Sequence, residues 1–217
     1  MAKIISAEQA VKLVKQSATV MIGGFMGCGS PHGLIDKLTE QGTGDLTVIC
    51  NDTSTTEYGL GRLIANKQIC KVITSHIGTN PETGRQMNAG ETEVELVPQG
   101  TLVERIRCAG AGLGGFLTPT GLGTVVEEGK EKLTIGDTAY LLELPLKADI
   151  ALIAGAKVDK KGNIYYQKSA RNFNPIMATA ADIVIVEARE IVEVGEIAPN
   201  DVMTPGLFVD YIVGGVN

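Results

Sequence analysis

Three short apolar runs rich in β-branched residues, TVMIG (Thr19–Gly23), LTVIC (Leu46–Cys50) and KVITS (Lys71–Ser75), each give way to a helix-patterned stretch before the next begins. A helix-length connection suits a crossover between parallel neighbours and does not suit a hairpin. Strands this continuously apolar need cover on both sides. The spacing therefore predicts an α/β fold, an open and mostly parallel sheet with helices on both faces.

The same rhythm assigns the remaining elements. Ser6 and Gln9 form a capping box ahead of AEQAVKLVKQ, in which Ala10, Leu13 and Val14 make the buried stripe. HGLIDKLTEQ reads as a helix ended near Gly42, YGLGRLIAN as another, TEVELV as a strand and GTLVERIRCAG as a helix. Later strands are expected at AYLLEL, DIALIAG, NIYYQ and ADIVIVEA, with a turn at DKKGN. Two stretches break the pattern: a turn-rich excursion near 76–90, and a glycine-rich segment near 110–123 that reads as a mobile surface loop. Residues 1–217 are expected to make one domain, since no low-complexity linker or internal repeat divides them.

Composition removes several classes of function. The net charge is −6 and Lys and Arg form no run, so nothing predicts nucleic-acid binding. MAKIISAEQAVKLV has no apolar signal core, and no stretch reaches the roughly 18 apolar residues of a membrane span, so a cytoplasmic protein is expected. Cys28, Cys50, Cys70 and Cys108 are scattered, with only His32 and His76 for company, and predict neither a metal site nor disulfides.

The segment VMIGGFMGCGSPHGLI, Val20–Ile35, runs from a strand into a helix, at the strand end where open α/β sheets place ligands. Its glycines remove Cβ atoms that would keep a ligand from the backbone, and Pro31 can start a helix with free N–H groups. Three readings compete. Gly27, Gly29 and Gly33, with Asp52 after the second strand, spell an imperfect dinucleotide fingerprint, because His32 stands where its third glycine belongs; this is the reading of an NAD(P)-dependent oxidoreductase. Cys28 near a helix start, with His32 four residues on, suggests an activated thiol. The third reading is a backbone cradle for an acyl-thioester and its coenzyme. A ligand-binding module without catalysis also stays open.

GGFMGCGSP is similar to the GGF-x-x-x-G-x-P signature of the family I coenzyme A transferases, the 3-oxoacid and short-chain acyl type. NDTSTTEYGLGRLIANKQICKVITSHIG, GETEVELVPQGTLVERIRCAGAG, PTGLGT and GNIYYQKSARNFNP resemble successive blocks of the first half of that family. One departure is Gln16-Ser17, where the family usually has Asp/Asn-Gly; Ser17 can still make the turn. The resemblance implies the family's three-layer α/β/α fold and exchange of coenzyme A between short-chain acyl-CoA or acetoacetyl-CoA and acetate. Coenzyme A would be a substrate and not a permanently bound cofactor. The nucleophile of the family is a glutamate in a Ser-Glu-Asn-Gly segment, which this chain does not contain. That segment belongs to the second half, or β subunit, so a β-subunit partner in an α2β2 heterotetramer is implied.

The same resemblance assigns Gly24, Phe25, Met26, Gly27, Cys28, Gly29 and Ser30 to coenzyme A or the acyl-thioester. It assigns Asn51 and Gln99 as uncharged amide donors around the reacting carboxylates; read bare, Asn51 is a turn former and Gln99 a helix cap. Lys168, Arg171 and Asn172 are left outside the site.

Overall fold

The computed structural model describes residues 2–215. Strands β1 (Lys3–Ile5), β2 (Thr19–Ile22), β3 (Leu46–Cys50), β4 (Ile69–Thr74) and β5 (Glu93–Leu96) alternate with helices α1 (Ala7–Val11), α2 (His32–Gln41), α3 (Gly61–Ala65), α4 (Pro81–Asn88) and α5 (Gln99–Gly110). Next come β6 (Phe116–Thr118), β7 (Lys132–Ile135), β8 (Thr138–Glu143), β9 (Ala148–Asp159), β10 (Ile164–Tyr165), α6 (Asn174–Met177), β11 (Ala181–Val192) and β12 (Tyr211–Gly214).

The main sheet runs β1-β12-β11-β9-β2-β3-β4-β5, every pair along this path is parallel, and β10 adds antiparallel to β9. Alternation along the strands sorts the core into two layers. Val20, Ile22, Val48 and Val72 pack under residues of α1, α2 and α3, while Met21, Ile49 and Ile73 pack under those of α5 and α6. The expected parallel α/β sheet with helices on both faces is therefore present. From β2 the chain moves to β3, β4 and β5 on one side, whereas β9, β11 and β12 lie on the other. The boundary between β2 and β9 is thus a switch point, where a crevice opens at the carboxyl ends.

Local chemistry accounts for the element ends. Ser6 Oγ accepts from Gln9 N at 3.2 Å and Gln9 Oε1 accepts from Ser6 N at 3.0 Å, the capping box read from the sequence. Gly42, at φ 73, ends α2, and Ser17, at φ 62, makes the turn into β2.

Four details correct the sequence reading. The excursion near 76–90 contains helix α4, because Asn80 caps it through Glu82 N and Thr83 N and Pro81 fits its first turn. The glycine-rich segment 110–123 holds β6, which pairs with β8 in a separate antiparallel sheet, β6-β8-β7. The first helix stops at Val11, well short of the end of AEQAVKLVKQ, and the chain passes through tight turns at Leu13 and Val14. NIYYQ contributes only Ile164 and Tyr165 as strand, since the chain must turn away to reach the end of β2. Strand β1, at the sheet edge, and β12, between β1 and β11, lay outside the sequence reading. No helix among the described residues is long and apolar enough to cross a membrane.

Candidate active site

The glycine segment folds into a miniature hairpin after β2. Phe25 N donates to Cys28 O at 3.0 Å, and Cys28 N donates to Phe25 O at 2.8 Å. Met26 and Gly27 at its tip have φ of 50° and 79°, the two positive values that a type I′ turn demands. Met26 N is held by Asp52 Oδ2 at 2.9 Å, and Asp52 Oδ1 accepts from Ser54 N at 2.7 Å. His32 Nε2 lies 2.8 Å from Gly27 O and 3.0 Å from the Tyr58 hydroxyl, and the two rings stack 4.6 Å apart. A carbonyl only accepts, so Nε2 carries the proton.

The glycines answer to the protein's own atoms. A Cβ on Gly27 would lie 2.2 Å from the Tyr58 ring, and one on Gly29 would lie 2.6 Å from Ala170 O. At these two positions the space expected to admit a ligand is filled from within. What the hairpin offers outward is its side chains, with Phe25, Met26 and Cys28 all exposed.

Beside the hairpin, at the switch point, lies a cleft of about 490 Å³ whose lining includes Cys28, Ser30, His32, Lys168, Glu187 and Arg189. Glu187, at its floor, accepts from Gly33 N at 3.2 Å and Leu34 N at 2.7 Å, which satisfies the first turn of α2. Burial pushes its carboxyl above the usual range, against the opposing pull of those two N–H donors.

The two amides are together. Asn51, 2% exposed at the carboxyl end of β3, accepts on Oδ1 from Gln99 Nε2 at 2.8 Å, and the Ser75 hydroxyl lies 3.1 Å from the same oxygen. Gln99 is the first residue of α5 and does not cap it; Pro98 stands at the cap position. Asn51 Nδ2 has no hydrogen-bond acceptor among the described residues. Asn51 immediately precedes Asp52, so the amide pair and the hairpin tip share one strand end.

Neither rival reading of the loop assembles. Asp52 is buried and both its oxygens are turned to backbone N–H groups of the loops, so it is not presented to a dinucleotide ribose. His32 Nε2 is turned to Gly27 O and Tyr58, while the near neighbour of Cys28 Sγ is Ser169 Oγ at 3.4 Å. The sequence reading kept Asn172 outside the site and did not single out Asn174. Yet Asn172 Nδ2 donates to Cys28 O, and Asn174 Nδ2 to Gly29 O, each at 2.9 Å. A legible hint was the pair of amides in RNFNP at the start of a short helix. Lys168 lines the cleft, and Arg171 is exposed.

Fold and site together define an α/β protein with a glycine hairpin and a hydrogen-bonded amide pair at the carboxyl ends of the strands of a parallel sheet. The chain belongs to the coenzyme A transferase family, whose model matches residues 4–215. It is 56% identical over 97% of its length to the acetate CoA-transferase subunit alpha of Escherichia coli K12, covering 96% of that protein. It is 53% identical to the acetoacetyl-CoA:acetate/butyrate CoA transferase alpha subunit of Clostridium acetobutylicum, covering 97% of each chain. An acyl-CoA transferase from E. coli O157:H7, solved as a thioester complex with CoA, shares the fold at a TM-score of 0.88 and 21% identity. That match covers 98% of this chain and 47% of the other, so the chain spans about half of that solved transferase.

Proposed function

We propose that this chain is the α subunit of an acyl-CoA:carboxylate CoA-transferase that exchanges coenzyme A between short-chain acyl-CoA or acetoacetyl-CoA and acetate, in the cytoplasm. The observation that carries the reading is the Asn51–Gln99 pair beside the hairpin, in which Asn51 Nδ2 has no acceptor among the described residues. The likeness to named α subunits along nearly the whole chain supports the same reading. Coenzyme A is a substrate here, not a resident cofactor, and the partner is a β subunit in an α2β2 assembly.

In this reading a glutamate of the β subunit attacks the acyl-CoA carbonyl and expels CoA thiolate, leaving a mixed anhydride. The thiolate returns to the glutamyl carbonyl, releases the first carboxylate and forms an enzyme thioester. Acetate then reverses the sequence and leaves as acetyl-CoA. The covalent route carries the CoA thioester through to acetate without a hydrolytic step. Each attack builds negative charge on oxygen, and a fixed donor stabilises such charge by about 3–4 kcal/mol. Asn51 supplies a donor of that kind, and Gln99, which donates to Asn51 Oδ1, orients it. Gly24, Phe25, Met26, Gly27, Cys28, Gly29 and Ser30 form the wall against the thioester and coenzyme A, opposite the nucleophile.

Co-purification with a candidate β subunit, followed by an assay of acetate-dependent loss of acetoacetyl-CoA, tests the proposal. Turnover is expected for the pair and negligible turnover for this chain alone. A thioester on the isolated chain that hydroxylamine or borohydride traps would overturn the division of labour.

A further inference from the structure

The geometry points to Asn172 and Asn174 as positioning residues that lock the outgoing strand of the hairpin, and so hold the Gly29 N–H as a fixed donor for an oxygen of the substrate. This rests on the reading of the hairpin as the wall of the transfer site.

Asn174 is fully buried and spends its whole amide on three separate segments. Oδ1 accepts from Ala154 N of β9 at 3.1 Å, while Nδ2 donates to Gly29 O of the hairpin at 2.9 Å and to Ala170 O at 2.8 Å. One donor and two acceptor neighbours fix which end of the amide points where. The backbone is shaped around it. A Cβ on Gly23 would lie 1.9 Å from Asn174 Oδ1, so glycine at the end of β2 admits this side chain. The close approach of Gly29 to Ala170 O belongs to the same junction. Asn172 adds a second tie, from Nδ2 to Cys28 O at 2.9 Å and to Ser169 O at 2.8 Å, and its Oδ1 accepts from Phe173 N at 2.7 Å.

Two successive carbonyls of the hairpin, Cys28 O and Gly29 O, are therefore held by side-chain amides. In a planar trans peptide the C=O and the following N–H point in opposite directions. Fixing Gly29 O sets Ser30 N, which donates to Gly27 O at 3.3 Å. Fixing Cys28 O sets Gly29 N, which has no acceptor among the described residues and belongs to a residue that lines the cleft. A donor held by its own peptide plane needs no reorganisation when charge develops on an acyl oxygen.

The test compares Asn172→Asp, Asn172→Ala and Asn174→Asp in the assembled two-subunit enzyme. Aspartate keeps the Oδ acceptors for Phe173 N or Ala154 N and removes the donors to the hairpin. Asn172 is half-buried, so its variants keep the test alive if Asn174→Asp does not fold. Two readouts are taken: amide hydrogen exchange across residues 23–31, and kcat and KM for acetoacetyl-CoA and acetate. Faster exchange confined to the hairpin is expected, with kcat down about tenfold or more and KM for acetoacetyl-CoA within about threefold. Unchanged exchange in the hairpin would overturn the clamp. Faster exchange with wild-type kcat would overturn the positioning role. A wild-type assembly without any transferase activity would sink the functional reading, and hydrogen exchange would still decide the clamp by itself.

Discussion

Gln99 Nε2 donates to Asn51 Oδ1 at 2.8 Å, so the two amides at the carboxyl edge of the sheet act through one hydrogen bond and not as independent arms. With its oxygen held by Gln99 and the Ser75 hydroxyl nearby, the Asn51 amide has a fixed orientation and its Nδ2 faces away from those partners. In the proposed site Asn51 is the donor and Gln99 its orienter.

That arrangement sets an order of effects. In the assembled enzyme, Asn51→Ala is expected to lower kcat/KM for acetate by about 3 kcal/mol, the scale of a lost transition-state donor. Gln99→Ala, which removes one neutral hydrogen bond to the donor's far end, is expected to cost about 1 kcal/mol. The double variant should cost little more than Asn51→Ala, because residues acting as a unit are non-additive. Steady-state kinetics with acetate varied, alongside coenzyme A affinity as a control, check this. A double variant that costs the full sum would show the two amides to be independent.

The hairpin glycines are predicted to differ in what they tolerate. Gly27 and Gly29 both have left-handed φ, 79° and 73°, which costs an alanine about 1–2 kcal/mol. At Gly27 the obstacle is the ring of Tyr58, 51% exposed and able to swing away from His32. At Gly29 it is the backbone carbonyl of Ala170, itself tied to Asn174. Gly27→Ala should therefore lower Tm by a few degrees, about 2–4 °C per kcal/mol for a chain of this size. Gly29→Ala should lower it by at least about twice as much. Thermal melts that rank the two equally would mean that the junction with Ala170 yields without cost.

The four thiols should separate by environment. Cys28 and Cys70 are exposed, whereas burial pushes Cys50 up to about 12 and raises Cys108 as well. Only a thiolate reacts. Titration of the isolated chain with a disulfide reagent near about pH 8 is expected to show two fast thiols, and all four after denaturation. Fast modification of Cys50 in the folded chain would contradict its burial under α2 and α3.

Some of this was legible in the sequence and some was not, for identifiable reasons. The parallel core could be read because its runs between Thr19 and Ser75 are continuously apolar, rich in β-branched residues, and carry helix-patterned stretches between them. Asn80-Pro81 was a helix start hidden by turn-forming neighbours: the cap and the proline that begin α4 are the residue types that also make loops. The β6-β8-β7 sheet escaped because glycines on either side of Phe116–Thr118 outweigh three strand residues in any local count. At the site, Asn51 and Gln99 could be named, but their contact spans 48 residues and no spacing rule reaches that far. The clamp from Asn174 to Gly29 spans 145 residues and depends on the chain's returning to the switch point after β10. Long-range polar contacts of this kind follow from topology, and topology from strand order.

Glu187 makes the last prediction, one of stability against pH. Its carboxyl titrates above the ordinary value of 4.5 in the folded chain, chiefly because burial disfavours the charge, although the N–H groups of Leu34 and Gly33 pull the other way. The folded state thus holds this proton more tightly than the unfolded state. The stabilising contribution is complete below about pH 4.5 and is lost as pH rises through the higher folded value. Each unit of elevation corresponds to about 1.4 kcal/mol. Glu187→Gln removes the ionisation and keeps an oxygen that can accept from Leu34 N. The difference in stability between the glutamine variant and the wild type should therefore shift in favour of glutamine as pH rises from about 4.5 through the raised folded value. Urea unfolding at several pH values across that window measures the difference directly. A flat difference would mean that Glu187 titrates alike in both states, and a shift toward the wild type with rising pH would mean that the helix N–H groups outweigh burial.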